Sequence, residues 1–151
     1  LSLVCNGAYI YSQVRFEDGA PERDRPLAGQ SPYLVNAGLF YQHDDKGISA
    51  SLLYNRIGKR IESVGVPMQN QDEDIPDIYE MPRNSLDLTF SKKIGKIVEI
   101  KAGIQDILNS KVEYKQFVKL TDDKGGKSER EQLIRSYRPG VDINIGVSLR
   151  F

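Results

Sequence analysis

Few side chains in this sequence could do chemistry, and their spacing decides what each could do. Carboxylates gather at Asp72, Glu73, Asp74, Asp77 and Glu80. Oxygen donors of this kind suit calcium, but the ordered Asp or Asn positions and the glycine that shape a calcium loop are missing. A solvated acidic loop without metal is therefore expected. His43 is the one histidine, and without a second histidine or a cysteine partner it offers neither a metal site nor a general base. Cys5, the one cysteine, falls inside an apolar strand pattern where a small buried residue fits, and it has no disulfide partner. Gly125 and Gly126 in DDKGGKS lack the spacing of a phosphate loop and do not lead from a strand into a helix, so a loop tip is expected there. No catalytic triad is available. The chain is expected to be no enzyme and to hold no cofactor.

Other groups suggest binding. Tyr114, Phe117 and Tyr137 lie near Lys111, Lys115, Lys119 and Arg135 in sequence, a mixture that suits either contact with a ligand or the packing of a long loop. Which ligand they would take is unknown. Asp87 and Lys101 are charges set among alternating apolar residues, and their meaning depends on the elements that carry them.

Those elements are strands. From Val141 to Phe151 every odd position is apolar, while the even positions are Asp142, Asn144, Gly146, Ser148 and Arg150. Successive side chains of an extended chain point to opposite faces, so one face is wholly apolar and the other polar. Ser85 to Ser91 and Val98 to Gln105 alternate in the same way, and Tyr33 to Gln42 and Ile48 to Asn55 do so with Leu34, Phe40 and Leu53 on the otherwise polar face. The stretch 1–16 is rich in aromatic and β-branched residues, with its apolar face left open. Strands are expected near 1–16, 32–43, 47–60, 82–93, 96–108 and 139–151. Long polar connections are expected at 17–31, 61–81 and 109–138, and tight turns at Asp44–Gly47 and around Lys93-Ile94-Gly95. With Gly95 at positive φ, a three-residue turn there would set Asp87 opposite Lys101 as a cross-strand ion pair.

Composition narrows the setting. The 151 residues carry 21 basic and 21 acidic side chains, so no net charge draws the chain to nucleic acid, and no nucleic-acid partner is expected. Hydrophobic residues are 39% of the chain, and no run is long enough for a transmembrane helix. A barrel crossing a membrane needs only alternate residues apolar, so average hydropathy does not exclude one. The chain starts inside a strand pattern without an initiating Met, which suggests a piece of a longer protein.

Long and short connections alternate strictly, which in a meander puts the long ones at one end and the turns at the other, as in outer-membrane barrels. A small soluble barrel fills its interior with apolar side chains, whereas Asp87, Glu99, Lys101, Asp142 and Arg150 need a wet lumen. Apolar residues outside and polar ones inside require lipid outside. The expected fold is all-β, an antiparallel transmembrane β-barrel meander with Asp87 and Lys101 as a lumen pair. Tyr33, Tyr41 and Phe151 are its expected membrane-interface aromatics.

Five stretches carry a resemblance: 25–42 (RPLAGQSPYLVNAGLFYQ), 52–61 (LLYNRIGKRI), 81–96 (MPRNSLDLTFSKKIGK), 101–109 (KAGIQDILN) and 135–151 (RSYRPGVDINIGVSLRF). In this order, ending in Phe151, they resemble the C-terminal barrel strands of TonB-dependent outer-membrane receptors. The nearest branch carries a carboxypeptidase-like regulatory domain before the plug and includes SusC/RagA-like relatives.

The resemblance implies that 1–151 supplies the last six strands of a 22-stranded barrel filled by a plug. It implies a bacterial outer-membrane location and import of a bulky nutrient, such as a siderophore, cobalamin, glycan or peptide, driven through the TonB complex. It further implies outer-membrane lipid, the plug and remaining barrel, and the barrel-assembly machinery as partners, with Phe151 as the assembly signal. In the glycan-importing kind a surface lipoprotein lid is a further partner. Two other readings stay open: a barrel without TonB coupling, for adhesion or secretion, and a soluble β-sandwich binding domain.

Overall fold

The computed structural model describes residues 1–17, 19–20, 24–67, 74–121 and 127–150. It contains ten strands, all paired antiparallel, and no helix among the described residues. In chain order these are β1 (Ser2–Tyr9), β2 (Tyr33–His43), β3 (Ile48–Ile57), β4 (Arg60–Ser63), β5 (Ile78–Glu80), β6 (Arg83–Ile94), β7 (Val98–Gln105), β8 (Val112–Thr121), β9 (Lys127–Tyr137) and β10 (Asp142–Leu149). β1-β2-β3-β6-β7-β10 form one sheet, and β4-β5-β8-β9 a second. Neither sheet closes into a barrel.

The six-stranded sheet is the expected meander. Gly47 ends the β2–β3 turn at φ 59° and Gly95 opens the β6–β7 turn at φ 62°, a region open to glycine at little cost. The second turn, however, spans Gly95, Lys96 and Ile97, two residues later than expected. Ile94 stays in β6 and pairs with Val98, so the register sets Ser91, not Asp87, opposite Lys101. The expected Asp87–Lys101 ion pair is not made. An even shift keeps every side chain on its face, which is why the alternation survives the displacement.

The long connections hold structure that alternation alone did not reveal. β3 runs on into β4 after two residues, β5 leads into β6, β7 leads into β8, and β9 leads into β10. The second sheet's order therefore copies that of β3-β6-β7-β10, making an outer storey above the long-connection end of the first sheet. Its two edges are treated differently. The carbonyl of Ile61 in β4 accepts from the backbone N–H of Gly29, at 2.7 Å. β9 carries a bulge where Arg135 pairs with Tyr114 and Leu133 with Lys115, and it is lined with charge at Glu129, Arg130 and Glu131. Bulges and charges discourage a further strand from adding. β1 and β10, the edges of the larger sheet, have no bulge, and their one charge is Asp142 at the start of β10.

The only buried apolar side chains among the described residues are Ile61, Val112 and Tyr114, all in the outer storey. The accessible surface is 11050 Å², against about 7,700 Å² for a compact monomer of this mass. Much of the exposed apolar surface lies on the six-stranded sheet, whose apolar rows no other described residue covers.

Candidate functional site

Following the register across the sheet shows what its two faces are made of. One row runs Leu3, Leu39, Leu52, Leu88, Ile104 and Ile143, a single apolar residue from every strand. The next row toward the turns is Tyr41, Ala50, Phe90, Ala102 and Ile145. Toward the long connections come Cys5, Ala37, Tyr54 and Leu86, and at the rim Tyr9 beside Tyr33. Aliphatic side chains thus fill the middle of this face and aromatic ones mark both ends. Leu39, Leu52, Leu88, Phe90 and all four apolar side chains of β10 are exposed. Cys5 is exposed as well, so the expected burial does not occur within this chain.

The band has a measurable height. On β6 it runs from Asn84 to Lys92, about 26 Å apart at ~3.3 Å per residue, with Ile94 and Val98 one step further on the same face. A strand tilt of ~40° reduces that to ~20 Å, comparable with the ≈ 25 Å apolar belt of outer-membrane barrels. Tyr33 and Tyr41 fall at opposite ends of the band. Phe151 lies outside the described residues.

The opposite face is mainly polar and concave, although Leu34, Phe40 and Leu53 lie on it too. Ser49 and Ser91 hydroxyls pair at 2.7 Å, the Ser51 hydroxyl meets that of Thr89, and Asn36 Nδ2 donates to Asn6 Oδ1 at 2.7 Å. A hollow of about 580 Å³ opens on this face toward the turn end, lined by Ser49, Ser51, Thr89, Ser91, Lys101 and Asn144 among others. A hollow on this side means that the sheet curls with its polar face inward. Lys101 stands in the hollow with Glu99 Oε2 3.5 Å away. Asp87 lies elsewhere on this face: its Oδ1 accepts the backbone N–H of Asp106, at 2.8 Å. Asp106, at φ 52°, forms an ion pair with Arg83. The concave face therefore holds two separate charged groups.

In the outer storey the aromatic and basic residues are brought together in part. Lys59 Nζ lies 4.0 Å from the ring centre of Tyr79 and 3.9 Å from that of Phe117, and the two rings meet edge to face. Arg135 stacks over Tyr114 and reaches Tyr137. Lys115 bridges Glu131 at 2.7 Å and Glu113 at 3.4 Å. Lys111 precedes β8, and the side chain of Lys119 is outside the described ones. Lys59 was not singled out from the sequence, because only the return of β5 and β8 beside β4 places aromatic rings against it. Of the acidic group, Asp72 and Glu73 lie outside the described residues. Asp77 Oδ1 accepts from the backbone N–H of Gly65, and Glu80 Oε2 is held by Arg60 at 2.7 Å. Among the described residues no cluster of His, Cys, Asp or Glu could hold a metal ion. Gly125 and Gly126 also lie outside them.

Two groups make the outer storey sensitive to alkali. The hydrogen bond to Glu131 raises the Lys115 pKa above its ordinary 10.5, and burial, with the Asp77 carboxylate beside the hydroxyl, raises that of Tyr79 above 10.0. Both groups bind their proton more tightly folded than unfolded. Their contribution is complete below the unfolded values and is lost as pH rises through the raised folded ones. Proteolysis of the 109–138 region is expected to accelerate above about pH 10 while the six-stranded sheet stays intact. In Lys115→Met the acceleration should be weaker.

Comparison with protein-family models, curated proteins and solved structures finds no match. Among the described residues no helix is long and apolar enough to cross a membrane, which says nothing of strands.

Proposed function

We propose that this chain is part of the wall of an outer-membrane transporter, a TonB-dependent importer of a bulky nutrient. The observation that carries the membrane part is the handedness of the two faces. A sheet whose convex side is apolar between two aromatic rims except for Arg56 and Asn84 just inside one of them, and whose concave side is mainly hydroxyl, amide and charge beside Leu34, Phe40 and Leu53, suits lipid outside and water within. The unprotected edges of β1 and β10 fit the same reading, because further strands would pair there and complete a barrel. The importer part rests on the resemblance of five stretches to C-terminal receptor strands, ending in Phe151. On this reading the Lys59, Tyr79 and Phe117 cluster and the Lys115 network belong to the ligand-capturing outer loops. The hollow around Ser49, Ser91 and Lys101 faces the plug. A soluble sandwich would need a second sheet against the apolar face, and the outer storey lies beyond that face instead.

The test is the size and location of the native product, detected with an antibody to residues 109–138. A species several times heavier than 17.0 kDa in outer-membrane fractions, cross-linking to the TonB complex, is expected. An outer-membrane product that never cross-links to TonB would favour an adhesion or secretion barrel. A water-soluble product near 17.0 kDa contradicts the whole proposal.

A further inference from the structure

One cation stands on the apolar face. Arg56 belongs to the row Gly7, Val35, Arg56 and Asn84, between the row of Tyr54 and the rim formed by Tyr33. Its Nη1 donates to Asn84 Oδ1 at 2.8 Å, and the Tyr54 hydroxyl donates to the same oxygen at 2.9 Å. The ring of Tyr33 closes the upper side, packed where a Cβ on Gly58 would come within 2.7 Å of it. Among the described residues no carboxylate lies within 4.0 Å of Arg56, whereas Arg60 and Arg83 each have one. Asn84 Oδ1 engages one of the five guanidinium N–H groups and the Tyr33 and Tyr54 hydroxyls meet the same guanidinium, and the doubly engaged Asn84 oxygen orients the amide with its nitrogen turned to donate.

A guanidinium held in place without a carboxylate, at the height where an apolar band ends, calls for an anion that arrives with apolar chains. We propose that Arg56, the Asn84 amide nitrogen and the Tyr33 hydroxyl bind the phosphate of a phosphorylated lipid headgroup in the leaflet nearest the long connections, while the Tyr54 hydroxyl, donating to Asn84 Oδ1, holds the amide in place. The proposal rests on the membrane reading above. A phosphate accepts paired guanidinium N–H bonds, which a neutral headgroup hydroxyl cannot match in strength. The acyl chains would then run down the exposed band over Val35 and Leu39 toward the turns. The imported ligand is excluded from this site because Arg56 is on the convex side.

The test uses the full-length protein purified in detergent, with lipid retention read by native mass spectrometry. The probes are dioleoyl phosphatidic acid and dioleoylglycerol, which share their chains and differ by the phosphate. Selective retention of phosphatidic acid is expected, falling about tenfold or more in Arg56→Gln and less in Arg56→Lys, which keeps the charge but not the fork. Asn84→Ala should weaken retention in the same direction. Equal retention of the two lipids by the unaltered protein overturns the site. So does unchanged retention in a folded Arg56→Gln protein, or displacement of the lipid by inorganic phosphate, which would mark a free-anion site. Flotation of the same preparations with vesicles separates the two levels: a protein that floats without Arg56-dependent retention refutes the lipid site alone.

Discussion

Leu88→Arg is expected to stop the protein from inserting stably into an outer membrane. Leu88 lies in β6 at the centre of the aliphatic row, with Leu52 and Ile104 directly opposite on its two neighbours. If lipid covers this face, the substitution sets a guanidinium near the bilayer midplane, at a cost of about 2–4 kcal/mol. Thr89→Arg, one residue along, adds the same charge to the concave side, where Lys101 and Glu99 already stand. It should cost far less. Refolding yield into vesicles, followed by the difference in electrophoretic mobility between heated and unheated samples, measures both. Equal tolerance of the two would mean that lipid does not cover the apolar face.

Ile61→Ala is expected to act on the outer storey alone. Ile61 is 2% exposed, the most buried apolar side chain described, and its carbonyl takes the Gly29 N–H. Removing its branched side chain from a site with little room to collapse costs about 2–5 kcal/mol. Because the six-stranded sheet has no contact row through Ile61, insertion should be preserved. Hydrogen exchange resolved by peptide would show faster exchange in 60–63, 78–80 and 112–121, with β2, β3 and β6 unchanged.

The contrast between these substitutions reflects what the sequence could and could not disclose. Alternation disclosed the two faces of β6, β7 and β10, because each strand carries its own period of two, whereas β1 gave no clear face and Leu34, Phe40 and Leu53 interrupt the polar side of β2 and β3. Register was harder. Ile94, Val98 and Leu149 continue the apolar rows, so the pattern is equally satisfied by turns two residues apart, and Asp87 was matched to the wrong partner. The outer storey was hidden for a different reason. In VEYKQFV the apolar residues fall on both faces, and the bulge beside Leu133 breaks the period of β9. Lys115 pairs with Glu113 and Glu131 across two strands that lie within the stretch expected as one long polar connection. Lys59 and Arg56 carried no local signal, since their surroundings come from strands distant in sequence.

The most direct measurement is a nitroxide scan along β10, from Ile143 to Leu149, in the full-length protein reconstituted into vesicles with Cys5 replaced by serine. Collision rates with dissolved oxygen, which concentrates in lipid, are compared with those of a water-soluble nickel chelate. Oxygen should dominate at Ile143, Ile145, Val147 and Leu149, and the chelate at Asn144, Gly146 and Ser148, with a period of two. If the odd positions are instead shielded from both reagents, protein rather than lipid covers the apolar face, and the membrane-wall assignment fails.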